Sequence, residues 1–122
     1  SMALGTLKIN LEVVHKRGMD KGLVLVSEFH SVEEVQGREM IEIDLKHGIK
    51  ITLQVRFEEN YSEFGPADFI RLQSAILGLK GLKDYEIKKE KEIFVRLGQK
   101  AKFHYQDEKG HFVEISIKPI IK

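Results

Sequence analysis

A chain of 122 residues, 42% apolar and 32% charged, is long enough for one domain with its own core and is neither disordered, collagenous nor a coiled coil. The absence of cysteine excludes disulfides, thiolate chemistry and cysteine-ligated zinc, and no apolar run approaches the roughly 20 residues of a membrane span. Twenty Lys and Arg against nineteen Asp and Glu nearly cancel, but residues 1–61 hold eight basic and ten acidic residues while residues 62–122 hold twelve and nine.

Ser1 before Met2 reads as a tag remnant, which leaves one domain over residues 3–122. No signal-peptide pattern follows Met2, so an intracellular (cytoplasmic) protein without membrane attachment is expected. Leu7, Ile9, Leu11 and Val13 alternate with polar residues and predict a first strand. Residues 17–22 form a turn. Leu23 to His30 is a second strand, apolar on both faces at its start and therefore expected to be central. Ser31 to Gly37 is an acidic connection. Ile41, Ile43 and Leu45 mark a third strand, and Ile49, Ile51, Leu53, Val55 and Phe57 a fourth.

The period then changes. Phe69, Leu72, Ile76 and Leu79 recur at helical spacing, Pro66 suits a first turn, and Gly78 and Gly81 suit an end. The spacing predicts a helix near residues 66–79. Further strands follow at Tyr85–Ile87, Ile93–Leu97, Ala101–Tyr105 and Phe112–Ile117. The expected fold is α+β: seven or eight mostly antiparallel strands in hairpins around one helix. A faint repeat at a spacing of 52 matches Ile41, Ile43 and Leu45 with Ile93, Val95 and Leu97.

Parity sets the hairpins, because a one-residue slip sends every apolar side chain to the wrong face. Ile43 must oppose Ile51 and Ile41 oppose Leu53, which leaves Lys46-His47-Gly48 as a three-residue loop ending on glycine. Likewise Tyr105 must oppose Val113 and Phe103 oppose Ile115. The same reasoning makes Gly98-Gln99-Lys100 a hairpin loop that pairs Leu97 with Ala101, Phe94 with His104 and Arg96 with Lys102. Outward faces then carry Asp44 opposite Lys50, His104 opposite Glu114, and Phe112 beside Gln106.

That outward face collects Phe94, Arg96, Lys102, His104, Phe112 and Lys118. Rings that stack bases beside cations that neutralise phosphates suit single-stranded DNA or RNA. The window 79–105 adds eight basic residues against four acidic ones. The five histidines show no His-Glu-x-x-His spacing, no serine lies in a Gly-x-Ser-x-Gly context, and no phosphate-cradling glycine loop precedes the predicted helix. No catalytic residue, metal site or cofactor is therefore expected, and the reading is a non-enzymatic binding module. The alternatives are a self-assembling subunit, homo-oligomeric or bound to another protein through open strand edges, and a carrier of a small apolar ligand beneath the helix.

Three stretches resemble the Whirly group of single-stranded nucleic-acid-binding proteins, and the strand–helix–strand order resembles half of the duplicated Whirly and PUR layouts. They are Gly22-Leu23-Val24-Leu25-Val26-Ser27-Glu28-Phe29, similar to a Whirly second strand; Pro66 to Ala75, similar to its helix entry; and Asp107-Glu108-Lys109-Gly110-His111-Phe112, similar to a hairpin. The resemblance implies single-strand binding by an oligomer. The family's Lys-Gly-Lys-Ala-Ala-Leu strand has no counterpart here, and no binding residue is carried over.

Overall fold

The computed structural model describes residues 7–19, 22–36, 38–62 and 65–121, with side chains for 7–18, 22–36, 38–56 and 69–120. Among the described residues eight strands run in chain order: β1 (Leu7–Met19), β2 (Gly22–Val35), β3 (Arg38–Asp44), β4 (Ile49–Ser62), β5 (Gly65–Lys80), β6 (Asp84–Arg96), β7 (Ala101–Gln106) and β8 (His111–Ile121). They form two four-stranded antiparallel sheets, β2-β1-β8-β7 and β3-β4-β5-β6. One shared core joins them. Leu7, Ile9, Leu11, Val13, Val113, Ile115 and Ile117 from the first sheet meet Ile51, Leu53, Val55, Ile70, Leu72 and Val95 from the second. Alternation puts these side chains on the inner faces, as two stacked sheets require.

The predicted helix does not exist, and the fold is all-β rather than α+β. Residues 65–80 form β5, paired with β4 on one side and β6 on the other. The 3.6-like spacing arose by mixing two faces. Leu72 and Ile76 are buried between the sheets with Ile70, whereas Leu79 is 44% exposed on the outer side. A central strand carries apolar residues on both faces, so its period-two signal blurs. Helix-forming Leu, Gln, Ala and Arg are overridden here by pairing on both edges. The stretch from Pro66 to Ala75 that resembled a helix entry lies in this strand.

Two further expectations are corrected. Strand β2 is an edge of the first sheet, not a central strand. Its apolar start, Leu23, Val24 and Leu25, is about half exposed at 52–53%. The expected connection at 31–37 instead continues β2 as far as the buried Val35. Its alternation fails because inward positions on an edge strand lie at the rim, where Ser31 donates to Glu33 at 3.0 Å.

The segment Gly98-Gln99-Lys100 is not a hairpin loop. Strand β6 belongs to the second sheet and β7 to the first, so the chain crosses between sheets, pinned by the Gly98 amide donating to the Pro119 carbonyl at 2.7 Å. Phe94 therefore pairs with Arg71 and Arg96 with Phe69, not with His104 and Lys102. The repeat at a spacing of 52 compares a true hairpin, β3–β4, with this crossover.

The other parity assignments hold. Ile43 pairs with Ile51, Ile41 with Leu53, Phe103 with Ile115 and Tyr105 with Val113. Gly48 and Gly110 take φ of 70° and 83° at the ends of their turns. A Cβ on Gly48 would lie 2.7 Å from Cδ1 of Leu79. It would also lie 3.0 and 3.3 Å from Cγ and Cβ of Leu79, so the contact adds to the left-handed strain, and Gly48→Ala should lower unfolding stability by at least about 1–2 kcal/mol, measurable by urea denaturation.

Candidate functional site

The crossover divides the sequence-predicted residues between two outer faces. Lys102, His104, Phe112 and Lys118 lie on the first sheet, and Phe94 and Arg96 on the second. On the first sheet the His104 ring stacks on Phe112, with centroids 5.2 Å apart and planes at 25°. The charges there are interleaved. Lys102 sits 3.9 Å from Glu114, Lys100 3.8 Å from Glu12, Lys8 3.8 Å from Glu34, and His30 3.3 Å from Glu12. His104 does pair with Glu114 in register, as parity required. Such exposed pairs contribute little stability, and this face has no clear excess of either sign.

On the outer face of the second sheet Lys50 pairs with Glu42 and Asp44, and the arginines gather at the other end. Registers place Arg38 opposite Arg56, Arg56 opposite Arg71, and Arg71 opposite Phe94. One transverse row thus crosses all four strands, about 14 Å at normal strand spacing. In the neighbouring row Phe69 pairs with Glu58 on one side and Arg96 on the other, and the Phe69 and Phe94 rings meet edge to face at 5.4 Å. Four of the chain's five arginines, Arg38, Arg56, Arg71 and Arg96, therefore share one end of one face.

Arg71 donates to Glu92 at 3.0 Å, and Gln73 donates to the same oxygen at 3.3 Å. The Arg71 bond, then the Gln73 bond, holds the Glu92 carboxyl below its ordinary range. Among the described residues Arg38 and Arg96, on the two edge strands, have no carboxylate within ion-pair distance. Phe94, on the edge strand β6, is 57% exposed.

Glu92 compensates Arg71, and Arg38 and Arg96 at the two edges of the sheet are the guanidinium groups best placed to take phosphate, which guanidinium binds bidentately. Arg38, Arg56, Arg71 and Phe69 were not among the sequence-predicted residues. Arg38 opposite Arg56 was already implied by the β3–β4 register. Arg71 and Phe69 became legible only once residues 65–80 were a strand.

The basic window 79–105 does not form one surface. Lys89 donates to the Gln106 carbonyl at 2.7 Å, and the Lys91 ammonium lies 5.4 Å from the Tyr105 ring centre. These two lysines close the seam between the β6 and β7 edges, where charged side chains also discourage further strand pairing. Lys88 pairs with Glu86. No protein-family model, curated protein or solved structure matches the chain.

Proposed function

We propose that this protein is a non-enzymatic binding module that takes single-stranded nucleic acid on the outer face of β3–β6. The row Arg38–Arg56–Arg71–Phe94, flanked by Arg96 and Phe69, carries this reading. The arginines contact phosphates and Phe94 stacks a base; Phe69 braces Phe94 edge-on. The first sheet's Lys102, His104, Phe112 and Lys118 lie outside this surface and serve as controls.

Fluorescence anisotropy with labelled single-stranded DNA and RNA at two salt concentrations tests it. Phe94→Ala should weaken binding by about 5–150-fold, the worth of one stacked base. Arg38→Gln and Arg96→Gln should each flatten the salt dependence by about 0.7 in slope. Phe112→Ala and Lys102→Ala should change neither. No binding at low salt ends the proposal.

A specific observation favours self-assembly or a protein contact as the second reading. Leu23, Val24 and Leu25 are half exposed at one end of an edge strand, and such edges template strand addition. Light scattering of Val24→Lys against the parent chain should then show a fall in mass. The carrier alternative required a helical lid, and the residues meant for it are β5, whose Ile70, Leu72 and Ile76 fill the space between the sheets.

A further inference from the structure

At the end of the sandwich opposite the arginine row, three elements distant in sequence bring three imidazoles together. His15 lies on β1, His47 in the β3–β4 turn, and His111 opens β8. Ring centroids are 5.1 Å apart for His15–His111, 5.3 Å for His47–His111 and 6.1 Å for His15–His47. His15 Nε2 lies 3.0 Å from His111 Nδ1. We propose that His15, His47 and His111 form a binding site for one zinc ion per chain.

The distances carry the argument. Zinc–nitrogen bonds of about 2.0–2.1 Å place each ring centre roughly 3.2 Å from the metal, so tetrahedral ligation sets ring centres about 5.2 Å apart and donor nitrogens about 3.3 Å apart. Two of the three ring pairs already match. Among the described residues no three such side chains are yet disposed to hold a metal ion. The widest pair is His15–His47 at 6.1 Å, and His47 is the exposed member of the set, so ligation by all three requires the His47 ring to move toward His15.

Two other features fit. His15 is fully buried beside Val13 and Val113, and its Nδ1 has no hydrogen-bond partner among the described residues. Its polar anchorage is therefore on the Nε2 side alone, where an apolar residue would pack at less cost. His47 holds φ of 63°, a left-handed backbone that directs its ring toward His111. Around the cluster, Arg17 and Lys109 oppose added positive charge and Asp107 favours it. Asp107 Oδ1 accepts from the amides of Lys109 and His111 at 2.9 and 2.8 Å, which fixes the turn that presents His111.

A cleft of about 690 Å³ lined by His47, His111, Asp107 and Lys89 opens beside the cluster. A bound ion would be open to solvent from that cleft, which leaves room for a further ligand.

Equilibrium dialysis of the EDTA-stripped chain against zinc, with metal analysis, tests the site. One ion per chain is expected, with a rise in melting temperature. His47→Gly suits the left-handed backbone and keeps the variant folded. It should weaken zinc binding by more than the roughly 10–100-fold lost with an outer-shell partner alone. His111→Ala should do the same, whereas His30→Ala and His104→Ala should bind as the parent does. No uptake with zinc in excess, or equal uptake by His47→Gly and the parent, overturns the proposal.

Discussion

Leu72→Ala should destabilise the protein by about 2–5 kcal/mol, and Ile70→Ala by a comparable amount. Both side chains are fully buried between the sheets on a strand paired at both edges. Each truncation leaves a cavity that stiff neighbouring strands fill poorly. Leu79→Ala should cost far less, because Leu79 is already 44% exposed, and Gln73→Ala should fall within about 0.5 kcal/mol. The pattern discriminates. A helix would bury Phe69, Leu72, Ile76 and Leu79 together and leave residue 70 outside the stripe; the strand buries 70, 72 and 76 and exposes 79. Urea denaturation of the four variants reads the difference directly.

Lowering the pH should destabilise the protein steeply between about pH 6.5 and 4, with any metal chelated. His15 is fully buried. Burial, then the charge of His111 and His47, lowers its pKa from 6.5 to about 4. As the pH falls through this window the unfolded chain takes up a proton that folded His15 refuses. The stability present above pH 6.5 is therefore lost, and the full difference corresponds to about 3 kcal/mol below pH 4. His111 is shifted in the same direction and adds to the same slope. Denaturant midpoints at pH 7.5 and 4.5 measure it. His15→Phe should remove most of the dependence whatever it does to stability at neutral pH, and an unchanged slope in that variant would contradict the assignment.

The legible part of the fold was the part governed by parity. Strands β3, β4, β7 and β8 each pack one face inward, so their alternation fixed both partners and loop length, down to Gly48 and Gly110. Strand β5 was illegible because it is central and apolar on both sides. Strand β2 misled for the opposite reason: its doubly apolar start suggests burial, yet it sits at an edge. The Gly98–Lys100 segment has the length of a hairpin loop, and nothing local distinguishes a turn within a sheet from a crossover between sheets. That single ambiguity moved Phe94 and Arg96 away from His104 and Lys102. The ring-and-cation chemistry of Phe94 and Arg96 was visible in the sequence, but their company of arginines depended on the β5 register. The histidine cluster left no local signal, since its members lie 32 and 64 residues apart along the chain.

The central claim is that the face bearing Arg38, Arg56, Arg71 and Phe94 receives the nucleic acid. Backbone amide chemical-shift mapping with a short oligodeoxythymidylate tests it most directly. Perturbations should concentrate on residues 38–40, 54–56, 69–73 and 92–96, with the amides of β7 and β8 unmoved. Perturbations confined to β7 and β8, or none at saturating oligonucleotide, would contradict it.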